Sequence, residues 1–577
     1  LEGAGIVRVR PDGSGLEVFS KGTRNACEAA LDAEDHVFTL DDAGGDWGGR
    51  LIYHIEGGRY GYPFDFREKL EKGTRRRAVR FLPPIDDFGD IAPTGLIGYS
   101  SDGLPDSYIG KLICCDAGLG EISTFEVARD GATFRLVNAA PLVRRGANAQ
   151  FHPTRVAVAG DGSLLVCDCG PEKPEDAAEG GAIWRVSWPE ARPAPRLEDE
   201  STLSIPELLA GLRHPDRDQR LRAEYALIAK NDDPVEALLA LLEDANTPTL
   251  QKMHVIWALE GIMGPVVAGA TYKGPATLGL RHRDKFWEIV DPITRDLANA
   301  AAVNQPNIQA QIIRALAYRR TWLDCEGVGK LAGEMQASPD PTVRCQAASA
   351  MGRMSYLDLP QLLLKLLEDP DQWVRASAQY GLQKEFIEHG LMDLDSENKY
   401  LTRPELSDAV WQIFETFPLG RRINVSPTFR LDETQAWNLQ EETVSYVAGR
   451  LKGNFRASAA DRAEAAKVLG QWAFRLKGYA EALSPERRKP SDAVSWAATK
   501  PCVAALNAAL SDSTPLVRLA AARALALGSS HDVTSALRRA LEREADPEVK
   551  AQLAADLEAQ SKENPSPEAV TGNSKPQ

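Results

Sequence analysis

Two stretches decide the architecture: SPDPTVRCQAASAMG, from Ser338 to Gly352, and DPDQWVRASAQYGL, from Asp369 to Leu382. Each sets Asp and Pro ahead of an apolar residue, an Arg and an Ala-rich run. Asp can cap the free N–H groups of a first helical turn and Pro fits only there, so both stretches read as helix starts. The motif recurs as HPDRDQRLRAEYAL around Arg222, STPLVRLAAARALAL around Arg518 and ADPEVKAQLAADL around Lys550. Weaker copies are TPTLQKMHVIWAL around Leu250 and QPNIQAQIIRAL around Ile308. The apolar anchors Leu221, Leu250, Ile308, Val343, Val374, Val517 and Val549 lie 29, 58, 35, 31, 143 and 32 residues apart. That is a period near 30 with copies missing from the wide gaps. A repeat of this length holds two helices, and because one pair cannot bury its own apolar face, neighbours must stack.

The motif resembles HEAT repeats, which implies an α-solenoid over residues 203–557, with the anchor facing the stack and the Arg and Asp forming a ladder between neighbours. A structural ladder is the expected role of those arginines. Residues 392–455 fit the period badly and contain Trp411, Trp437, Pro404, Pro418 and Pro427, so they read as a divergent insertion. The polar tail 558–577 has little to bury and reads as disordered. Residues 191–202, rich in Pro and acids, read as a linker.

Ahead of the linker, residues 1–190 carry the punctuation of β structure. Short alternating runs lie at 6–10, 17–20, 36–40, 51–55, 111–115, 121–127, 155–158, 164–167 and 182–187. Asp12-Gly13, Asp130-Gly131 and Asp161-Gly162 sit between such runs, where they signal hairpins. Hairpins repeated in this way suggest β-propeller blades, of about four strands and roughly 40 to 50 residues each. The expected fold is therefore multidomain, all-β plus all-α: a partial propeller of three to four blades, then the solenoid. The chain opens at Leu1 on strand-like sequence with no leader, which reads as a piece of a longer protein whose earlier part would carry further blades.

Composition narrows the function. Hydrophobic residues are 43% and charged residues 26% of 577, so a packed globular protein is expected. No run reaches 18 apolar residues, so no transmembrane segment is expected. The net charge of −15 disfavours nucleic acid, whose phosphates need a concentrated basic face. Eight cysteines show neither a zinc spacing nor the C-x-x-C-H of an attached haem. Cys167 and Cys169, two apart on a strand, read as small buried hydrophobes. Arg75, Arg76, Arg77 and Arg80 read as a solvated loop.

The stretch richest in chemistry runs from Gly22-Thr23-Arg24-Asn25 to LDDAGGDWGGRLIYHIEGGRYGYP, Leu40 to Pro63. Asp41, Asp42 and Asp46 on a Gly-rich loop can serve a hard, oxygen-loving cation or be an acidic turn in water. Arg-Asn after Gly, then Glu56-Gly57-Gly58-Arg59-Tyr60-Gly61-Tyr62-Pro63, resembles the G-x-R-N … G-G-x-Y-G-W-P pattern of the soluble quinoprotein glucose and sorbosone dehydrogenases. The segments Ala92–Asp116, Phe151–Gly170 and Gly180–Glu190 are similar to the membrane-bound dehydrogenase-like proteins of planctomycete-type bacteria, in which HEAT repeats follow a propeller. The resemblance implies pyrroloquinoline quinone beside Arg24 and Asn25, with Arg155 as the remaining cation near the family's later Arg positions. It also implies calcium at Asp42 with the carbonyls of Gly44 and Gly45. It further implies a sugar or polyol ligand and a periplasmic or extracellular location.

The departures from that family bear on activity. Its catalytic His would precede Leu1, and its quinone-binding Lys has no counterpart near Gly118-Leu119-Gly120. No catalytic residue is assigned. Two readings stay open: part of an exported protein resembling quinone-dependent sugar dehydrogenases but not catalytic by itself, or a non-catalytic scaffold that recognises a carbohydrate or a protein. In either, the solenoid would hold a protein partner or a neighbouring domain.

Overall fold

The computed structural model describes residues 4–9, 13, 16–26, 28–42, 49–61, 81–89, 91–146, 151–170, 181–263, 305–319, 325–353, 359–389, 443–454, 457–476, 493–495, 497–528 and 530–563. The chain forms two compact units, Gly3–Gly381 and Leu382–Gln577.

The first unit opens with four antiparallel sheets laid down in chain order. A hairpin pairs β1 (Ala4–Arg8) with β2 (Glu17–Thr23). The first four-stranded sheet holds β3 (Ala30–Leu31), β4 (Val37–Asp42), β5 (Gly49–His54) and β6 (Asp86–Asp87). The second holds β7 (Pro93–Gly98), β8 (Leu112–Asp116), β9 (Glu121–Asp130) and β10 (Thr133–Arg144). A three-stranded sheet of β11 (Pro153–Val158), β12 (Leu164–Asp168) and β13 (Ala182–Val186) completes the set. Asp-Gly turns join β9 to β10 and β11 to β12, and Gly131 and Gly162 take φ of +62° and +80°; Gly13, between β1 and β2, takes +79°, and Asp12 lies outside the described residues. The described residues contain no closed barrel or ring of strands.

Strand β7 lies against β3 on one side and β11 on the other. Gly98 permits the first approach, since a Cβ there would meet the Leu31 carbonyl at 2.2 Å. Between the second and third sheets lies a core of Tyr99, Ile113, Ile122, Phe151, Leu164 and Val166. Cys167 and Cys169 are exposed, contrary to expectation. β12 alternates buried and exposed positions, and both cysteines fall on the face turned away from that core.

Helices follow: α1 (Ile205–Gly211), α2 (Arg217–Ala229), α3 (Val235–Glu243), α4 (Thr249–Met263), α5 (Pro306–Arg319), α6 (Cys325–Met335), α7 (Pro341–Met351), α8 (Leu359–Leu366) and α9 (Gln372–His389). The segment before α1 is held in place: Ala194 and Arg196 bond to Asp102, and Arg222 to the Leu197 carbonyl. The second unit contributes α10 (Ala459–Ala473), α11 (Thr499–Ala509), α12 (Pro515–Leu525), α13 (His531–Arg543) and α14 (Pro547–Glu563). In α14, Gln560 is buried against the Gly528 carbonyl. No described helix is long and apolar enough to cross a membrane.

The repeat motif maps onto the starts of α2, α4, α5, α7, α9, α12 and α14, and Val343, Val374 and Val517 are fully buried. The ladder is present, with a fixed register. Arg344 donates back to the carbonyls of Ser338 (2.9 Å) and Pro339 (3.0 Å) and forward to both oxygens of Asp369 (2.7 and 3.0 Å). Arg518 does the same with Asp512 and Ser513 behind and Glu544 ahead (2.8 and 2.7 Å). In the first copy the ladder residue is Arg220, which donates to the His214 and Pro215 carbonyls, not the expected Arg222. The capping Asp four residues before the Arg sets this register, and Asp216 stands to Arg220 as Asp340 stands to Arg344.

Arg518→Ala removes a guanidinium that holds two carbonyls and a buried carboxylate, so it should lower unfolding free energy by roughly 1.5–3 kcal/mol in urea titrations at pH 7. The Arg518 hydrogen bonds hold the Glu544 carboxyl below its ordinary range. That stabilisation exists above the unfolded pKa of about 4.3 and is lost as pH falls through the folded value, so the gap between wild type and variant should narrow in acid.

Candidate functional site

The Arg24-Asn25 turn is built around one carboxylate. Asp41 is completely buried on β4; its Oδ1 accepts the backbone N–H groups of Arg24 (2.9 Å) and Asn25 (2.7 Å), and its Oδ2 accepts Arg50 (2.5 Å). Arg50 also donates to the carbonyls of Tyr60 (2.8 Å) and Gly22 (3.3 Å). One ion pair thus ties together the Arg-Asn turn, strand β4 and the Gly-Gly-Arg-Tyr segment. A buried pair keeps its place only when its spare hydrogen-bonding groups are satisfied, and here most are.

Arg24 and Asp42 are brought together: the guanidinium reaches the Asp42 carbonyl at 3.2 Å and its carboxylate at 3.3 Å. Gly44, Gly45 and Asp46 lie outside the described residues. A calcium ion takes six to eight oxygens. Asp41 is spent on N–H donors, Asp42 faces a guanidinium, and the described residues gather no three His, Cys, Asp or Glu side chains to hold a metal. The described donors therefore do not by themselves fit calcium. Arg155 joins the segment after the turn through Glu28, three residues past Asn25, at 2.9 Å.

The histidines of residues 1–190 number three, and each is committed. His54 is 2% exposed, with Ser20 Oγ on Nδ1 (2.8 Å) and Thr39 Oγ1 on Nε2 (2.7 Å), and burial drives its pKa down to about 3. The ring is neutral, and a Ser–His pair this deep serves packing. His36 lies between Asp32 (2.8 Å) and Arg129 (2.6 Å). His152 is buried against the Gly170 carbonyl at 2.8 Å.

The Glu-Gly-Gly-Arg-Tyr segment meets the helices. Glu56, 7% exposed, forms a two-point pair with Arg353 beyond α7 (Nε–Oε2 3.0 Å). Gly57, at φ +74°, packs so closely on Tyr380 that a Cβ would stand 2.1 Å from its ring. Tyr60 is buried, donates to the Tyr53 carbonyl at 2.6 Å, and lies near Trp373 of α9. Neighbouring turns of the sheets behave alike. The Ala132 N–H donates to Asp371 (2.9 Å), Ser101 Oγ to Asp216 (2.5 Å), and Gln311 to the Glu34 carbonyl (3.1 Å). The sequence presents this segment only as part of a family-like motif and does not show the docking, because the partners lie roughly 300 residues away.

A cleft of about 560 Å³ opens where the first strands of three sheets face the start of α2. Leu31, Ile97 and Val158 line it, as do Glu28, Arg155 and Arg217.

A family model of HEAT repeats matches residues 294–383. No curated protein matches the chain. Among solved structures, an oxidoreductase described as a glucose dehydrogenase, from Thermus thermophilus, is 18% identical, covering 30% of this chain and 47% of that one with a TM-score of 0.23. The chain spans about half the length of the three glucose dehydrogenase structures it matches. An Escherichia coli protein solved by a structural genomics consortium is 14% identical over 63% of this chain and 99% of its own, with a TM-score of 0.28. A structure of Kap95p with RanGDP is 14% identical over 62% of this chain and 45% of that one, with a TM-score of 0.31.

Glu56→Gln removes the two-point counter-charge of the largely buried Arg353, with Glu17 standing off at 3.8 Å, and should cost about 3–5 kcal/mol in urea unfolding. Glu56→Met with Arg353→Met together should cost far less than the sum of the single changes, which a double-mutant cycle reads directly. At the acidic turn, Asp42→Ala should lower the melting temperature equally with calcium and with chelator; a loss confined to calcium buffer would establish a metal ligand.

Proposed function

We propose that the sheets are part of a β-propeller of the quinoprotein sugar dehydrogenase type, kept as a binding module and joined to HEAT repeats that hold a protein partner. The module takes a sugar or polyol in its cleft without oxidising it, in a protein exported to the periplasm or the cell exterior. The observation that carries this reading is the commitment of His36, His54 and His152 to internal hydrogen bonds. Oxidising an alcohol carbon needs a base within hydrogen-bond reach of the hydroxyl proton; His36 and His54 have both ring nitrogens engaged, and His152 is buried with its Nδ1 on the Gly170 carbonyl.

A quinone- and calcium-dependent dehydrogenase is the competing reading, and it rests on the resemblance of segments 22–25 and 56–63 to that family. In that case Arg24, Asn25 and Arg155 would hold the anionic pyrroloquinoline quinone, and Asp42 with the Gly44 and Gly45 carbonyls would hold calcium. The quinone would accept the substrate's electrons, and this chain would position it. Mixing the protein with pyrroloquinoline quinone, calcium, an electron-accepting dye and a series of aldoses separates the two. No dye reduction is expected, while at least one sugar or polyol should raise the melting temperature. Sustained dye reduction dependent on both quinone and sugar would overturn the scaffold reading.

A further inference from the structure

We infer that the helical array supplies one wall of the sugar site, and that Arg217 at the start of α2 determines which sugar the cleft accepts. This rests on the cleft being the sugar site. One side of the cleft is apolar: on the third sheet, Leu165 and Ile183 are 37% and 73% exposed and share a face with Arg155. The other side is the first turn of α2, Asp216-Arg217-Asp218.

The charges in the cleft nearly cancel. Glu28, Asp216 and Asp218 stand against Arg155 and Arg217. Each arginine already has a carboxylate: Glu28 at 2.9 Å for Arg155, and Asp35 at 2.6 Å for Arg217. An ionic ligand gains little from cations already paired. A hydroxyl both donates and accepts, so a polyol can bridge acid and guanidinium without breaking either pair. A pyranose also offers a C–H face to Leu165 and Ile183, matching the general form of ligand sites, apolar with a few placed polar groups. The ligand class is therefore a neutral sugar.

Arg217 is fixed from both ends. Its backbone N–H donates to the Ser100 carbonyl at 2.8 Å, and its guanidinium is held by Asp35, a non-glycine residue at φ +61°. Asp32 secures that turn by accepting the N–H groups of Glu34 and His36, both at 2.9 Å. The Arg217 Nε is buried and its Nη2 is the nitrogen that donates to Asp35, while Nη1 makes no hydrogen bond with any described residue. A guanidinium carries five donors in a rigid fork, so this one keeps donors for a ligand oxygen. Because such a ligand touches both the sheets and α2, its binding also ties the two together.

The test is titration calorimetry of the whole chain with glucose, cellobiose, N,N′-diacetylchitobiose and the acid gluconate, beside melting temperatures of the unliganded variants. At least one neutral sugar should bind wild type better than gluconate does. Arg217→Ala should weaken that sugar about tenfold or more, as expected for loss of a charge-assisted hydrogen bond, with Arg217→Lys between the two. Asp218→Asn, on an exposed residue, should weaken it with an unchanged melting temperature, which covers the case of a misfolded Arg217→Ala. If wild type binds a sugar and both Arg217→Ala and Asp218→Asn bind it equally well, the helical wall is no part of the site and this inference falls while the sugar reading stands. If wild type binds none of the sugars, both fall. Tighter binding of gluconate would overturn the neutral class.

Discussion

The pairing of Glu56 with Arg353, 10% and 6% exposed on the arginine and glutamate side chains, is the constraint on which the first unit turns. A charge so deeply placed is costly unless its partner is delivered to the same spot. That delivery requires the end of β5 and the end of α7 to be in register across almost 300 residues. Once they are, Gly57 meets Tyr380, Tyr53 and Tyr60 meet Trp373, and Asp371 receives the Ala132 N–H. Sheets that do not close on themselves leave turns and edges in need of cover, and here the starts of successive helices provide it.

The helical array was legible because its signal is local. Pro, Asp, the buried valine and the arginine all lie within seven residues, and each is needed for one turn of helix. The sheets were legible where the pattern alternates, as in β4 or β12. Strand β7 was not: Pro-Thr-Gly-Leu-Ile-Gly looks like a break. Its glycines answer to neighbours, since a Cβ on Gly95 would stand 3.0 Å from the Arg155 Cα. Strand β10 carries Pro141, which argues against a strand until one sees that β10 lies at the edge of its sheet, where a missing N–H costs least. The Arg-Asn and Asp-Asp signals led to residues that do meet, Arg24 and Asp42, but spacing could not show that Asp41 is consumed by the fold.

The family-like segments therefore carry two kinds of information. Gly22, Arg24 and Tyr60 sit in one hydrogen-bonded assembly centred on Asp41 and Arg50, so the spaced residues of the motif meet in one local framework. Chemistry would need more: a free base and a set of oxygens facing one point. The framework accounts for the spacing of the motif on packing grounds alone, and a motif explained by packing is weak testimony for catalysis.

The two acidic positions of the repeat divide their labour, and the division explains how one motif serves both stacking and docking. The acid six residues before the ladder Arg, or before Lys550 in the last copy, receives the Arg of the preceding repeat: Asp369 from Arg344, Asp512 from Arg462, Glu544 from Arg518. The residue four before it caps the helix. A cap needs only one carboxylate oxygen, so an aspartate there keeps a second to offer. In Asp216 and Asp371 that second oxygen takes Ser101 and the Ala132 N–H from the sheets. Where Thr514 occupies the cap position, its single hydroxyl makes no capping bond and accepts from Arg462 instead. Aspartate at this position thus does what threonine cannot: it starts a helix and binds a second element with the same side chain, which lets a stacking repeat become a platform without any change to its helices.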